Sequence, residues 1–140
     1  MRSVVSMDEQ RIASVVAGNL HVRDVVVMWA DAGCRLGEMR KACRKKGTSP
    51  ARSVVVNAQA QKVQELQLAA YRQAEIAVTG SEPFAAKGDA AEKLRVVIAR
   101  ECDALVRHAV ADPTDFLAAT RHTASNRVVP PWDTPRAEGA

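Results

Sequence analysis

Cationic side chains are concentrated between residues 34 and 52 of this sequence. Seven Lys or Arg residues fall there against one acid, Glu38, whereas the whole chain carries a formal net charge of +4. The remaining residues are therefore slightly acidic as a group. A concentrated basic patch on a near-neutral chain indicates a polyanionic partner, because cations of this density neutralise phosphates. The candidate contacts are Arg35, Arg40, Lys41, Arg44, Lys45 and Lys46.

Helical periodicity separates these cations from their apolar neighbours. At about 100° per residue, Leu36, Met39 and Cys43 fall on one side of a helix, and Arg40 and Arg44 fall on the other. Three interpretations remain open. The basic side binds nucleic acid, it binds an acidic protein, or it is only the solvated face of a packed bundle.

A second group with chemical potential is Glu101, His108 and Asp112. Their spacings of seven and four residues place them on one helix face, and such groups perform general acid-base work. The helix dipole alone also favours a His near a helix C-terminus, and no Ser or Cys nucleophile stands at a defined spacing. We therefore expect a protein that is not an enzyme.

Metal and nucleotide sites are not indicated by the remaining residues. The three His residues are scattered, and Cys34 and Cys43 are nine apart without a second pair nearby. Gly33 and Gly37 lack the lysine-serine ending of a phosphate-binding loop. The sequence thus predicts no metal and no cofactor. An odd number of cysteines and the absence of an apolar stretch of about 18 residues favour a cytoplasmic protein with no membrane contact.

The first part of the chain is predicted to form three helices. Ser6 and Glu9 match a capping box, which places the start of the first helix at about residue 7 and its end at about 18. Residues 22–29 are ambiguous, because their valines favour a strand, whereas their apolar spacing favours a helix that closes at Gly33. We favour the helix. A third, short helix ends at Gly47.

The second part is predicted to contain much longer helices. Ser49 followed by Pro50 is typical of a helix start, and no breaker follows before Gly80, which gives a helix of about 43 Å with apolar residues on several sides. Such a helix is usually buried centrally or shared between subunits. Asp89 and Glu92 suggest the start of another helix that extends to 111, with a short helix over 113–122. Residues 123–140 are expected to form an extended, proline-rich tail.

Residues 25–44 resemble the helix-turn-helix of DNA-binding domains. Gly33 stands at the position of the turn, and Met28, Ala32, Cys34, Met39 and Ala42 stand at the usual apolar positions of that pattern. Trp29 departs from the pattern, because a small residue ordinarily lies there. The resemblance implies that the helix after Gly33 enters a DNA groove, with Arg35, Arg40, Lys41 and Arg44 as the contacts.

Together these features predict an all-α helical bundle with one long central helix, assembled as an oligomer. Residues 1–122 form a helical domain in which 20–47 are a helix-turn-helix and 50–111 provide assembly. The expected function is non-enzymatic binding of DNA or RNA through 35–46, of the regulator or viral DNA-recognition type. Self-association is expected through 54–78 and the tail residues 128–132. The alternative is a helical structural or adaptor subunit that binds no nucleic acid.

Overall fold

The computed structural model describes residues 2–80 and 88–125, with side chains for 9–80 and 88–123 except residue 90. These residues form five α-helices and no strand. The prediction of an all-α fold is therefore confirmed over the described residues, as is the helical assignment of 22–29. The helices are α1 (Arg2–Gly18), α2 (Leu20–Lys46), α3 (Pro50–Thr79), α4 (Asp89–Ala111) and α5 (Pro113–Ser125).

Local capping signals fix several helix ends as predicted. The Ser49 hydroxyl accepts a hydrogen bond from the backbone N of Arg52 at 3.2 Å, and Pro50 occupies the first turn of α3. Gly80 ends α3 with a φ of 78°, a left-handed conformation that favours glycine. At the start of α2, the Asn19 side chain accepts from the backbone N of Val22 at 2.9 Å.

One predicted helix start, one predicted cap and the predicted start of the tail are wrong. Helix α1 begins at Arg2, so the position of Ser6 lies inside the helix and does not cap it. Gly88, with no side-chain hydrogen bond, precedes α4 in place of the expected Asp89 cap. Helix α5 continues to Ser125, beyond the predicted start of the tail at 123. Residues 126–140, which include the proposed contacts at 128–132, lie outside the described residues.

The hydrophobic core lies where the first part of α2, the second part of α3 and helices α1, α4 and α5 meet. Alanines at Ala70 and Ala74 allow close approach of α3, and the Cys102 thiol lies 3.8 Å from the carbonyl oxygen of Ala70. Burial raises the pKa of that thiol to about 12, which keeps it neutral. The largest fully buried side chains are Phe116, Ile98, Val16, Val22, Val26 and Cys102.

Helices α2 and α3 continue beyond this core as an antiparallel hairpin. No residue from 37 to 69 is buried, although α2 and α3 share the most extensive contact between any two helices. We call the hairpin formed by residues 37–46 and 50–60 the arm, and residues 40–53 around its turn the tip. The arm places the sequence's basic segment away from the core.

A buried arginine joins three helices near the other end of α2. The Arg23 guanidinium donates to Thr120 Oγ1 at 2.8 Å, to the carbonyl of Ala17 at 2.9 Å and to the carbonyl of Phe116 at 3.3 Å. It also lies 4.2 Å from the centre of the Phe116 ring. Its acceptors are all neutral, and burial lowers its pKa. The five donors of a guanidinium allow one side chain to tie α5 to the junction of α1 and α2.

Tyr71 forms a second polar link, between α3 and α4. Its hydroxyl donates to Asp103 Oδ1 at 2.7 Å and accepts from Gln67 Nε2 at 2.9 Å, while its ring packs edge-on against Trp29. Burial, assisted by the hydrogen bond and the negative charge of Asp103, raises the pKa of Tyr71 to about 12. The folded state therefore holds the phenol proton more tightly than the unfolded chain does.

This link predicts a pH dependence that Tyr71→Phe removes. Above the ordinary phenol pKa of 10.0, the unfolded state loses this proton first, so Tyr71 makes stability fall as the pH rises towards about 12. We expect Tyr71→Phe to cost about 1 kcal/mol near neutral pH. Between about pH 9 and pH 11, the free energy of unfolding from urea titrations should fall less for the variant than for the wild type, by on the order of 1 kcal/mol. Parallel declines would contradict this role of Tyr71.

Candidate nucleic-acid interface

Five of the six predicted cationic residues lie together on the last turns of α2, at the tip of the arm. Arg40, Lys41, Arg44, Lys45 and Lys46 are all exposed. None of them forms an ion pair with any described residue. Cations at a helix C-terminus also interact favourably with the helix dipole. Because no described carboxylate pairs with these five side chains, their charge is available to a partner from outside the chain.

Arg35 differs from the other five. It lies more than one helical turn before Arg40 and pairs with Asp31, with 3.7 Å between Arg35 Nη2 and Asp31 Oδ2. Both side chains are mostly exposed, so this pair adds little stability. Its charge is nevertheless balanced locally, and the structure separates Arg35 from the unpaired group.

Arg52 adds a sixth cation to the tip from the first turn of α3. Its Nη1 donates to the carbonyl oxygens of Lys46 at 3.2 Å and Gly47 at 2.8 Å. These carbonyls lie at the end of α2, where backbone acceptors lack partners within the helix. Arg52 therefore closes the turn between the helices, a role that its place in the basic segment did not reveal.

The two sides of the tip differ in chemistry. One side is a shallow apolar groove between α2 and α3, lined by Met39, Ala42, Cys43, Ala51, Arg52, Val55 and Val56. The other groove is more polar and is lined by Arg40, Cys43, Arg44, Thr48, Ser53, Val56 and Asn57. On the polar side, two guanidinium groups thus border the same groove as two hydroxyls and an amide. Such donors suit phosphate oxygens.

Sequence reasoning missed Thr48, Ser53 and Asn57. They carry no charge, and they join Arg40 and Arg44 only because α3 folds back along α2 after Gly47. The signal that could have found them was the helix stop at Gly47 followed by the helix start at Ser49, which together predict an antiparallel hairpin.

The turn that the helix-turn-helix resemblance requires at Gly33 is not present. Residues 20–46 form one uninterrupted helix, so the two helices predicted on either side of Gly33 are one. The expected apolar positions also differ, since Met28 is 52% exposed and Cys34 and Ala42 are exposed. Trp29, the departure from that pattern, is buried against Tyr71. The basic residues therefore lie at the end of one extended helix, α2, and not on a second helix that follows a turn.

The three α4 and α4-end residues considered for acid-base chemistry make separate contacts. His108 Nε2 lies 2.8 Å from Asp115 Oδ2 of α5, and the ring packs edge-on against Phe116. Glu101 instead lies near Arg100, and Asp112 accepts a hydrogen bond from the backbone N of Asp115. The contacts of His108 and Asp112 close the junction between α4 and α5.

Among the described residues, no three His, Cys, Asp or Glu side chains are grouped so that they could hold a metal ion. Within the same residues, no single helix is long and apolar enough to cross a membrane; Glu9–Gly18 and Leu20–Lys46 meet the length and composition requirements only together, as a pair bent by 74°.

Comparisons with protein-family models, with curated proteins and with solved structures found no match to this chain.

The uninterrupted course of α2 predicts the effect of Gly33→Ala and Gly37→Ala. A methyl group added at either position meets no atom within 4 Å, and neither glycine has a positive φ. Because alanine favours the helix interior, we expect each substitution to raise the free energy of unfolding by about 0.5–1 kcal/mol, measured by urea denaturation. Gly47→Ala, at a φ of 82°, is the control and should be destabilising. Destabilisation by Gly33→Ala would instead indicate a turn at that position.

Proposed function

We propose that the protein binds nucleic acid through the tip of the arm, with duplex DNA as the ligand to test first. The observation that supports this is the group of five exposed cations, Arg40, Lys41, Arg44, Lys45 and Lys46, without an ion-pair partner among the described residues. Lys and Arg side chains that bind phosphates release condensed counterions from the nucleic acid, which is the main source of sequence-independent affinity.

The polar groove suggests how a phosphate is held there. Arg40 and Arg44 are one turn apart on α2, and their guanidinium groups can each donate two parallel hydrogen bonds to phosphate oxygens. Ser53 and Asn57 are one turn apart on α3 and border the same groove. Contacts of this kind fix the position of a backbone but carry little base information. We therefore propose binding with weak sequence preference.

The helix dipoles at the tip favour phosphate binding by side chains and not by backbone groups, because dipole ends of opposite sign lie side by side there. The C-terminus of α2 carries partial negative charge and the N-terminus of α3 carries partial positive charge, and the two lie side by side. Ser49 and Arg52 already occupy backbone groups at these ends. The favourable charge thus comes from the Lys and Arg side chains that surround the turn.

The test is duplex binding by Arg40→Ala with Arg44→Ala. Fluorescence anisotropy with a labelled duplex should show binding at about 50 mM salt for the wild type. The double variant should bind more weakly and show a log-log salt slope that is lower by about 2, because each lost phosphate contact removes about 0.9. The control, Arg11→Ala with Arg107→Ala, removes the same charge from exposed positions away from the tip. Equal losses in both variants would contradict the proposed interface.

A structural or adaptor role is the second candidate, and one observation favours it. Val54 and Val55 beside the tip are 69% and 54% exposed, next to the apolar groove between α2 and α3. Phosphate binding does not need these apolar side chains. If the wild type fails to bind duplex or single-stranded nucleic acid at about 50 mM salt but forms defined oligomers, the structural role is favoured.

A further inference from the structure

One long face of α3 is exposed along its whole length and has the spacing of a helix-pairing seam. We call it the outer stripe: Val54, Ala58, Gln61, Glu65, Leu68 and Arg72. Its members alternate at steps of four and three residues, so they fall within one narrow sector of the helix. All six are exposed, and the apolar residues near its two ends are strongly so, with Val54 at 69% and Leu68 at 57%.

The middle of this face is polar but close to neutral. Gln61 Nε2 lies 3.4 Å from Glu65 Oε2, and Lys62 borders the stripe one residue further along. Between residues 54 and 69, Lys62 and Glu65 are the charged residues, and their signs are opposite. The arrangement is thus apolar at both ends and oppositely charged about its centre.

We propose that the outer stripe pairs with the outer stripe of a second copy of this chain, in antiparallel orientation. A two-fold axis that crosses α3 between residues 63 and 64 places Lys62 of each copy opposite Glu65 of the other. It also brings Leu68 of each copy to within one residue of the level of Ala58 of the other, so that two members of the outer stripe meet. The interface is self-complementary, as two-fold symmetry requires. Burial of these side chains supplies the apolar contribution, and the charge pairs fix the register.

Charge favours the antiparallel pair over the parallel one. In a parallel two-fold pair each residue lies level with its own copy, so Lys62 faces Lys62 and Glu65 faces Glu65. The antiparallel pair replaces these like-charge contacts with opposite-charge pairs, and it places the two tips at opposite ends of the dimer. Each tip is about 15 residues from the axis, so the tips are about 46 Å apart at 1.5 Å per residue.

This arrangement has a consequence that rests on the proposed function. Two tips that point away from each other cannot bind one short stretch of nucleic acid. They bind two separate segments, and the dimer bridges them. Dimer formation itself does not depend on nucleic acid, so the two proposals are tested separately.

The first experiment measures mass in the absence of nucleic acid. Sedimentation equilibrium should give a dimer of the 15.1 kDa chain. Leu68→Glu should raise the dimer dissociation constant by about 10-fold or more, because a charge replaces a buried apolar contact, and Val54→Lys should do the same because it faces Arg72 of the other copy. Val96→Glu, at a 62% exposed position on α4, is the matched control and should leave it unchanged. Far-UV circular dichroism checks that each variant is folded.

Charge exchange tests the register. Lys62→Glu and Glu65→Lys should each weaken the dimer, because like charges then face each other across the axis. The double variant restores opposite charges and should recover dimerisation to within about 3-fold of the wild type. Additive weakening in the double variant would overturn the proposed pairing.

Cross-linking tests the orientation. With Cys34→Ser and Cys43→Ser present to remove the two accessible thiols, Ala58→Cys and Ala69→Cys are made in separate chains. The antiparallel axis places these positions opposite each other, so a bifunctional thiol reagent should join the mixed chains and neither variant alone. A parallel pair would give the reverse result. A monomeric wild type at about 100 µM, or a dimer unaffected by Leu68→Glu, would overturn the proposal whatever the outcome of the duplex-binding test.

Discussion

The continuity of α2 through Gly33 and Gly37 determines where the basic side chains lie. Each glycine costs about 1 kcal/mol of helix propensity relative to alanine, so the helix does not persist there by local preference. Packing against α3 holds it: Trp29 meets Tyr71 edge-on, with 6.1 Å between ring centres, and Gln59 Nε2 donates to the carbonyl of Ala32 at 3.0 Å. Leu36 is buried one turn later. Tertiary contacts thus extend a helix that local sequence would interrupt, and the arm exists as a result.

The division between core and arm follows from the distribution of apolar side chains. The core buries apolar side chains from all five helices, and Arg23 joins α5 to the end of α1. Along the arm, no third helix of the described residues covers α2 and α3. None of the residues from 37 to 69 is buried. Contacts between α2 and α3 cover only part of their apolar surface: Val54 in the arm and Leu68 beyond it stay exposed. The arm therefore offers apolar surface for association as well as charge.

Most of the fold was predictable because local signals define most helix ends. Ser49, Pro50 and Gly80 set the bounds of α3 through hydrogen bonds and backbone conformation that involve only neighbouring residues. The failure at Gly33 has a different origin, because the contacts that keep α2 helical come from residues about 30 to 40 positions later. Sequence periodicity within 25–44 cannot contain that information. The same limit explains why the resemblance to a helix-turn-helix gave a turn that the structure does not have.

The charged residues of the candidate site could be predicted from the sequence, but the polar residues that lie beside them could not. Arg40 and Arg44 were expected on one helix face, and that pairing depends on a single helix. Their association with Ser53 and Asn57, and the separation of Arg35 by its contact with Asp31, depend on the hairpin and on side-chain geometry. Arg52 shows the distinction most clearly, since it belongs to the basic segment by sequence and seals the end of α2 in the structure. A cation that completes a helix end has less freedom to follow a phosphate than one on an open face. In the proposed interface, the phosphate contacts are therefore assigned to Arg40, Lys41, Arg44, Lys45 and Lys46, which no described carboxylate neutralises.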